Sequence, residues 1–269
     1  MPVANINGVG INYEVSGQGK AVVCVHGLTG SHQDWSDQVM ILSPKYRVVT
    51  IDLRGHGKSA APSSEEEYSI PIFANDIFAI LETLDIRKCC LIGHSIGGLI
   101  SLHFALDHPD MLSALVLVGT NSGSPPKPPG FLEHRQKLHE LARSQGMEAA
   151  FEYDAANSPQ RIETFRKHPG LREMMRQRAI ATSANGYIHA WKAIDRGEPL
   201  TPRLSEIQVP TLIYRGAEDV MMADGARTLK KGIANSELIT VKGVGHSPHY
   251  ESPRLFNSKL LEFLTRIGW

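Results

Sequence analysis

The sequence predicts an α/β fold in which helices cover both faces of a mostly parallel central sheet. Short β-branched runs alternate with amphipathic segments of helical length, as in parallel strands joined by crossover helices. Several strand runs are apolar at successive positions, which is typical of strands that are buried on both faces. One long segment between two strand runs has helical composition throughout, which indicates an insertion.

The alternating segments can be placed along the chain. Seven runs have the length and the β-branched content of strands, and they span residues 10–15, 21–26, 47–52, 89–93, 114–118, 211–215 and 237–242. Apolar side chains recur at helical spacing over residues 72–84, 97–106 and 252–267. We expect these three helices to pack on the sheet.

The insertion begins after Thr120. Residues 122–130, with the sequence SGSPPKPPG, are too rich in proline and glycine for regular structure and predict a linker. Helical composition then runs from residue 131 to about residue 194. The expected interruptions are Gly146, Pro159, Pro169–Gly170 and Gly186. We predict a core domain of residues 1–120 and 203–269, and a helical lid of residues 121–202 over the end of the sheet.

Composition limits the partners and the location of the protein. The 269 residues include 28 basic and 28 acidic ones, and this balance favours neither nucleic acid nor an anionic membrane as partner. The sequence shows no secretory signal and no membrane-spanning run. Cys24, Cys89 and Cys90 fall in strand runs, and their odd number argues against a disulfide framework. We therefore expect a cytoplasmic protein with buried free thiols.

A G-x-S-x-G motif, GHSIG at residues 93–97, is the most specific local pattern. It follows an apolar run and opens a helix, so Ser95 is expected at an abrupt strand-to-helix turn. Gly93 and Gly97 remove side chains that would collide across this turn. The Ser95 hydroxyl then projects above the sheet edge, and the amide of Ile96 points to where an oxyanion would form. The motif predicts a nucleophilic serine rather than one that only caps the helix.

Together with this motif, four other segments resemble the α/β-hydrolase family along nearly the whole chain. They are HGLTG at 26–30, DLRGHGKS at 52–59, GAED at 216–219 and GVGH at 243–246. The resemblance implies an α/β-hydrolase fold with catalytic residues in the order serine, aspartate, histidine. Haloalkane dehalogenases and epoxide hydrolases of the family have aspartate where this chain has Ser95, so the resemblance implies an acyl-enzyme.

The resemblance also indicates the partners of the nucleophile. His246 lies in a glycine-containing loop after a strand and is predicted to be the base, whereas His249 is expected to be a surface or capping residue. Asp219 follows a strand at its carboxyl end and is predicted to orient His246. Glu218 is expected to point away, and Asp224 is expected to cap a helix.

Two backbone amides are candidates for the oxyanion hole. Gly27 lets the chain turn inward after a strand, and we expect the amide of Leu28 to be the second donor beside that of Ile96. His26 is expected to brace this loop by hydrogen bonds rather than to act as a base.

Residues 52–59 contain more charge and glycine than the end of a strand requires. A metal or phosphate site would need a second carboxylate cluster or the three-glycine phosphate spacing, and the sequence has neither. We therefore predict a tight turn that is tied by Asp52 and Arg54, and we expect no metal and no other cofactor.

Substrate selection is expected to reside in the lid. The candidate substrate-binding residues are Trp35, Phe131, Tyr187 and Trp191, with Met174, Met175 and Ile188 as further apolar candidates. The segment also contains seven arginines, which are Arg135, Arg143, Arg161, Arg166, Arg172, Arg176 and Arg178. Most are expected on a solvated helical face, and an arginine that faces the pocket would favour a substrate with a carboxylate.

The favoured function is a carboxylesterase or lactonase with a small-molecule substrate. The chain looks similar to enol-lactone hydrolases and small bacterial esterases. A hydrolase of carbon–carbon bonds in vinylogous diketones is the alternative enzyme, although such relatives tend to have tryptophan soon after the histidine, where this chain has SPHYE. Thioester hydrolysis and perhydrolysis would use the same residues. A small-molecule receptor of the same fold is a further alternative, and a homodimer is compatible with each.

Overall fold

An eight-stranded sheet forms the centre of the computed structural model, which describes residues 3–269. The strands are β1 (Val3–Ile6), β2 (Val9–Ser16), β3 (Ala21–Val25), β4 (Arg47–Ile51), β5 (Cys89–His94), β6 (Leu112–Val118), β7 (Thr211–Gly216) and β8 (Ser236–Val241). Their order is β1-β2-β4-β3-β5-β6-β7-β8. β2 is antiparallel to β1 and β4, and the other pairs are parallel. The predicted mostly parallel sheet is confirmed; residues 1 and 2 of the predicted core lie outside the described range.

Helices cover both faces of this sheet. The helices within residues 3–269 are α1 (Ser36–Leu42), α2 (Ile70–Thr83), α3 (Ile96–Asp107), α4 (Phe131–Gln145), α5 (Met147–Asn157), α6 (Pro159–Lys167), α7 (Leu171–Ile180), α8 (Ala184–Arg196), α9 (Ala223–Gly232), α10 (Pro248–Glu251) and α11 (Pro253–Arg266). On one face α2, α3 and α9 pack against Val23 and Leu91. On the other face α1 and α11 pack against Val22 and Cys24. Neighbouring residues of β3 thus point to opposite faces that are both buried. Within residues 3–269, no helix is long and apolar enough to cross a membrane.

The sequence pattern predicts β2–β8 but not β1. This edge strand has only four residues, alternately exposed and buried, which is too short a run for its period to be recognised. It pairs with β2 through a two-residue turn at Asn7 and Gly8, which have φ of 50° and 85°. Asn-Gly favours this hairpin turn, so the pair of residues marks the hairpin better than the strand itself does.

Residues 131–196, between β6 and β7, form α4–α8, which we call the insertion helices. No helix or strand is assigned within residues 119–130, in agreement with the predicted linker. The predicted interruption at Gly186 is wrong, because Gly186 lies in the first turn of α8. A Cβ at Gly186 would lie 2.5 Å from the carbonyl oxygen of Gly55, so glycine here allows α8 to pack closely on a loop that follows β4. The division into a core domain and a lid domain stays a prediction.

Residues 52–59 form a tight turn around buried charges. The carboxylate of Asp52 accepts hydrogen bonds from Asn12 Nδ2 and from the amide of Lys58, both at 2.9 Å. Arg54 donates from Nε and Nη2 to the two carboxylate oxygens of Asp76 in α2, at 2.7 and 2.6 Å. The predicted turn is therefore confirmed, and its charged residues tie the turn to β2 and α2.

The three cysteines are buried and form no disulfide, as predicted. Burial raises the pKa of the Cys89 thiol to about 12, and it raises the pKa of Cys24 and Cys90 as well. Because the thiolate is the reactive form, these residues serve packing rather than chemistry.

Candidate active site

Ser95 lies at a strained turn between β5 and α3. Its backbone has φ 54° and ψ −119°, and a positive φ is uncommon for a residue other than glycine. The turn is held because the Ser95 amide donates to the carbonyl of Val118 at 2.9 Å and the Ser95 carbonyl accepts from Thr120 Oγ1 at 2.7 Å. A Cβ at Gly93 would lie 2.3 Å from the carbonyl oxygen of Gly97, so the turn requires glycine there.

Asp219 follows β7 and His246 follows β8, and the two form a hydrogen-bonded pair at the carboxyl end of the sheet. Nδ1 of His246 lies 2.7 Å from Oδ2 of Asp219. Because a carboxylate only accepts, Nδ1 carries the proton and Nε2 remains as the basic nitrogen. A Cβ at Gly119 would lie 3.4 Å from His246 Nδ1 and 3.5 Å from Asp219 Oδ2. The preceding residue, Val118, accepts from the Ser95 amide, so the pair and the strained turn meet at the end of β6.

The surroundings of His246 favour its protonated form. Burial lowers the pKa of the imidazole, but the charge and the hydrogen bond of Asp219 outweigh burial and raise the pKa above its ordinary value. Arg161 acts to lower this pKa, and Glu251 acts to raise it. An imidazolium that forms by taking a proton from a nearby hydroxyl is therefore stabilised.

Glu251 holds the loop that carries His246, a role that its local sequence does not indicate. Its carboxylate accepts from the amide of Gly245 at 2.7 Å and from the amide of Ser247 at 2.8 Å. These two residues flank His246, so one carboxylate fixes the backbone on both sides of the imidazole. An acidic residue in the first turn of a short helix is common, and its local pattern shows nothing of this role.

Arg215 holds the loop that carries Asp219. It lies in β7 with its side chain buried, and Nη2 donates to the carbonyls of Ala217 at 3.1 Å and Asp219 at 3.0 Å. Sequence reasoning missed Arg215, although a charged residue in the otherwise apolar strand run TLIYRG indicates a buried charge with a specific partner.

His249 is not the surface or capping residue that the sequence predicts. It is fully buried, and its ring centroid lies 4.5 Å from that of Trp35 and 4.5 Å from that of His94. Neither of its ring nitrogens has a hydrogen-bond partner in residues 3–269, and burial holds its pKa well below the usual range. His249 therefore packs as a neutral ring, while His94 donates from Nε2 to the carbonyl of His246 at 3.0 Å.

The acidic neighbours of Asp219 take other positions. Glu218 is partly exposed and forms an ion pair with Lys167 of α6. Asp224 lies inside the first turn of α9, where it pairs with Arg227, so its predicted role as an N-cap is wrong. The helix begins at Ala223, two residues before the start at Gly225 that an Asp224 cap implies, so Asp224 lies inside the helix.

The two predicted oxyanion donors lie on either side of Ser95. Ile96 is the first residue of α3, and an α-helix leaves the amide at this position without an internal partner. Leu28 follows Gly27, where a Cβ would lie 3.3 Å from Ser95 Cβ, so this loop passes close to the serine. Leu28, Ser95 and Ile96 all line one cavity. This placement suits two amides that donate to one oxygen.

His26 braces the loop before Leu28, as predicted. Its Nε2 accepts from the amide of Leu53 at 3.0 Å, so Nδ1 carries the proton and donates to the carbonyl of Gly27 at 2.7 Å. Burial lowers the pKa of His26 to about 4, which keeps the ring neutral. The ring therefore joins the loops that follow β3 and β4.

A cavity of about 1130 Å³ lies between the carboxyl end of the sheet and the insertion helices. Ser95, Asp219 and His246 line it together. In the described part of the chain, no group of three or more His, Cys, Asp or Glu residues could hold a metal ion. Near Ser95, the cavity wall offers a hydroxyl, an imidazole, a carboxylate and backbone amides.

Three of the four predicted substrate-binding residues line this cavity. Phe131, Tyr187 and Trp191 extend its wall along α4 and α8. Trp35 does not line it, and this prediction is wrong. Trp35 is fully buried in the core with residues of α1 and α11, where it stacks on His249. A tryptophan has the same local pattern in both settings, so only the tertiary packing distinguishes them.

The seven arginines of the insertion divide into two groups. Arg143 is exposed, and three others pair with acidic residues of the insertion helices: Arg166 with Glu163, Arg172 with Glu152, and Arg176 with Glu148. The remaining three line the cavity, and they are Arg135, Arg161 and Arg178. Most of the arginines thus lie on the solvated face that the sequence predicts, and a minority face the pocket.

Comparisons with known proteins match almost the whole chain. A family model described as alpha/beta hydrolase fold matches residues 20–253. The chain is 33% identical over 270 aligned residues to a protein of Bacillus subtilis (strain 168) with the provisional name 2-succinyl-6-hydroxy-2,4-cyclohexadiene-1-carboxylate synthase, and 96% of each chain is covered. The enol-lactonase of Burkholderia xenovorans LB400 has 28% identity and a TM-score of 0.87, with 98% of this chain and 100% of that chain covered. A carboxylesterase of Nitrososphaera gargenis has 25% identity and a TM-score of 0.90, with 99% of each covered.

Proposed function

The chain belongs to the α/β-hydrolase family, and from this premise we propose that it is a serine hydrolase that cleaves a carboxylic ester or lactone through an acyl-enzyme. One observation carries the proposal. The strained Ser95 and the His246–Asp219 pair, with its 2.7 Å hydrogen bond, meet at one cavity. The similarity to an enol-lactonase and to a carboxylesterase supports an ester or lactone as the bond that is cleaved.

The first half of the reaction forms the acyl-enzyme. The Ser95 hydroxyl attacks the ester carbonyl as its proton passes to Nε2 of His246, and Asp219 stabilises the resulting imidazolium. The amides of Leu28 and Ile96 donate to the oxygen that becomes negative in the tetrahedral intermediate. When this intermediate collapses, the carbon–oxygen bond to the alcohol breaks, and His246 returns the proton to the leaving oxygen.

The second half releases the acid. His246 takes a proton from water, and the hydroxide that forms attacks the acyl carbonyl, whose oxygen again accepts from Leu28 and Ile96. Collapse frees the carboxylic acid and returns the proton to the Ser95 oxygen. The reaction needs only water besides the residues of the chain, so the proposal includes no metal and no other cofactor.

The insertion helices are proposed to act as a lid on the core. In this proposal, residues 121–202 enclose the substrate over a core of residues 1–120 and 203–269. A cavity of about 1130 Å³ is slightly larger than most pockets that bind small molecules, about 300–1000 Å³, and is large enough to enclose such a molecule. We therefore propose a small-molecule substrate, and neither nucleic acid nor a membrane takes part. Phe131, Tyr187 and Trp191 are proposed to contact its apolar part.

A second candidate function comes from the Bacillus subtilis relative. The provisional name of this relative describes a synthase whose product carries a succinyl group and a ring carboxylate. The alignment with this relative covers 96% of the present chain. The candidate is a synthase reaction at the same site on a substrate with carboxylates, rather than the hydrolysis of a simple ester.

Ester hydrolysis and covalent labelling test the proposal. We expect the wild type to hydrolyse p-nitrophenyl acetate, butyrate or octanoate, with a presteady-state burst that matches the enzyme concentration. Ser95→Ala should lose the burst and at least about 10⁴-fold in kcat. A fluorophosphonate should label Ser95 alone, as mapped by mass spectrometry. Ser258→Ala, which changes an exposed serine on α11, is the matched control and should behave as wild type.

The outcomes separate the candidates. Equal slow hydrolysis by the wild type and Ser95→Ala would overturn the proposal and favour a receptor, for which binding should change the protease sensitivity of residues 121–202. A protein that is labelled at Ser95 but hydrolyses none of the esters would favour the synthase.

A further inference from the structure

Arg161 lies in the cavity wall near the proposed base. It belongs to α6 and lines the cavity, and its charge is close enough to His246 to lower the pKa of the imidazole. Tyr187 and Tyr250 also line the cavity, and both interact electrostatically with Arg161. The guanidinium therefore lies in the wall between the insertion helices and the reacting groups.

The hydrogen bonds of Arg161 leave most of its donors unused. Nε lies 3.0 Å from Oδ2 of Asp154, and Nη1 lies 3.8 Å from the sulfur of Met175, a weak acceptor. Oδ1 of Asp154 is occupied by His134, at 2.8 Å from its Nε2. Within residues 3–269, no other group accepts a hydrogen bond from Arg161. Three of its five N–H groups therefore have no protein acceptor, and the side chain is 29% exposed at the cavity.

The other two cavity arginines are held differently. Nε of Arg178 lies 3.0 Å from the carboxylate of Asp34, and its Nη2 donates to the carbonyl of Gln33 at 2.9 Å. Arg135 pairs with Asp195 at 2.6 Å, and its guanidinium lies 5.0 Å from the ring centre of Trp191. Each of these side chains is at most 14% exposed. Nη1 of Arg135 and Nη1 of Arg178 also lack an acceptor within residues 3–269, but both atoms are buried. Arg161 is thus the cavity arginine whose unused donors are most exposed to a ligand.

Nearby charges allow Arg161 to bind an anion. Although burial acts to lower it, the carboxylate of Asp154 raises the pKa of the guanidinium, which stays charged. Asp154 is shared between Arg161 and His134, so it does not satisfy the guanidinium alone. The planar fork of an arginine that keeps two parallel N–H groups free matches the geometry of a carboxylate.

We propose that Arg161 binds a carboxylate of the substrate, so that the enzyme acts on esters or lactones that also carry a free acid. The inference rests on the proposed function and specifies its substrate class. Hydrolysis follows the same steps, and the bound carboxylate takes no part in bond making. It also neutralises the charge of Arg161 beside His246, so a substrate with the acid group should favour the imidazolium of the transition state.

Matched pairs of esters test this inference. One pair places the acid on the acyl side, p-nitrophenyl hydrogen glutarate against p-nitrophenyl valerate. The other places it on the alcohol side, 3-carboxyphenyl butyrate against phenyl butyrate. We expect the wild type to prefer the charged member of at least one pair. Arg161→Gln should lower kcat/KM for that member by about 10- to 100-fold, as expected for the loss of charged hydrogen bonds, and change the neutral member less than about threefold.

Control variants isolate the charge. Arg161→Lys keeps the charge without the fork and should retain part of the preference, so it also serves if Arg161→Gln folds poorly. Arg176→Gln removes an arginine of α7 that pairs with Glu148 and Glu152 outside the cavity, and it should leave both pairs unchanged. A wild type that prefers the neutral member of both pairs, or a preference that survives in Arg161→Gln, would overturn the inference.

Binding of glutarate separates this inference from the proposed function. Ser95→Ala retains Arg161, so calorimetric titration with glutarate measures the anion site without any chemistry. Glutarate should bind Ser95→Ala at least about tenfold more tightly than it binds Ser95→Ala/Arg161→Gln. Equal binding to both proteins would contradict the anion site even if Ser95 is the nucleophile, and unequal binding would support it even if the wild type hydrolyses no ester.

Discussion

The loops at the carboxyl end of the sheet and the insertion helices border the same cavity, but different forces hold them. Buried hydrogen bonds to the main chain fix the loops. Glu251 binds the amides around His246, and Arg215 binds the carbonyl of Asp219. The insertion helices contact the core in two ways: α8 packs apolar side chains into the main core, whereas α6 contacts it through an ion pair of Lys167 with Glu218. Exposed ion pairs stabilise a protein by about 0–1 kcal/mol each, so α6 can shift more easily than the loops.

We expect the loops at the carboxyl end of the sheet to determine the rate of bond cleavage and the insertion helices to determine which substrate is preferred. A general base must stay within hydrogen-bond reach of its partner, and the buried ties of the loops provide this precision. The insertion helices form the part of the cavity wall that is proposed to select substrates. Their side chains can change without loss of catalysis, because bond cleavage does not depend on the exact position of these helices. Substitutions in the loops should therefore affect all substrates equally, whereas substitutions in the insertion helices should change the ratio between substrates.

The largest expected effect is that of Asp219→Asn. Asparagine can donate to Nδ1 and favour the wrong tautomer of His246, so kcat should fall by about 10⁴-fold for every ester with KM little changed. Asp224→Asn, at an exposed aspartate on α9 that pairs with Arg227, is the matched control. Steady-state kinetics on charged and neutral esters would measure both. If the loss of kcat differs more than tenfold between substrates, the loops also affect substrate selectivity, which would contradict the distinction between the loops and the insertion helices.

A smaller loss is expected for Glu251→Gln. Glutamine keeps one acceptor for the two amides around His246, so kcat should fall about tenfold on every substrate.

The pH dependence of the rate tests the same residue. His246 must be neutral to act as the base, and its pKa is raised, so wild-type kcat/KM should fall as pH drops through a value above the ordinary histidine pKa of about 6.5. Because Glu251 helps to raise this pKa, the limb should move to lower pH in Glu251→Gln. Profiles of kcat/KM from pH 5 to 9 would measure this shift. If Glu251→Gln has the wild-type kcat and the same acid limb as the wild type, the role of Glu251 is contradicted.

The sequence predicts those features of the site that depend on residues close together in the chain, and it does not predict those that depend on tertiary packing. The turn at Ser95 depends on Gly93 and Gly97, which are neighbours along the chain, so the motif and its strained geometry can be predicted together. Trp35 and His249 are neighbours only in space, and their stacking in the core depends on how α1 and α11 meet. For the same reason, the pattern around Glu251 shows nothing of its bonds, and the spacing of the arginines cannot show which of them faces the cavity.

The smallest effect on catalysis is expected for Arg178→Gln, which tests the insertion where it contacts the core. Arg178 pairs with Asp34 and donates to Gln33, and burial raises the pKa of Asp34 to about 6. Loss of the arginine leaves Asp34 buried without its cation, so kcat for neutral esters should change less than about threefold while the free energy of unfolding falls by about 1–3 kcal/mol at pH 8.

The pH dependence of this loss identifies its cause. Without Arg178 the folded-state pKa of Asp34 rises further, and Asp34 is protonated in both folded proteins below pH 6. The difference in unfolding free energy between the wild type and Arg178→Gln should therefore grow from pH 5 to pH 8. Urea denaturation at the two pH values would measure it, with Arg176→Gln as the control that changes an arginine outside the cavity. A difference independent of pH would mean that Arg178 stabilises the protein through packing on Tyr250, 5.5 Å from its ring centre, rather than through Asp34.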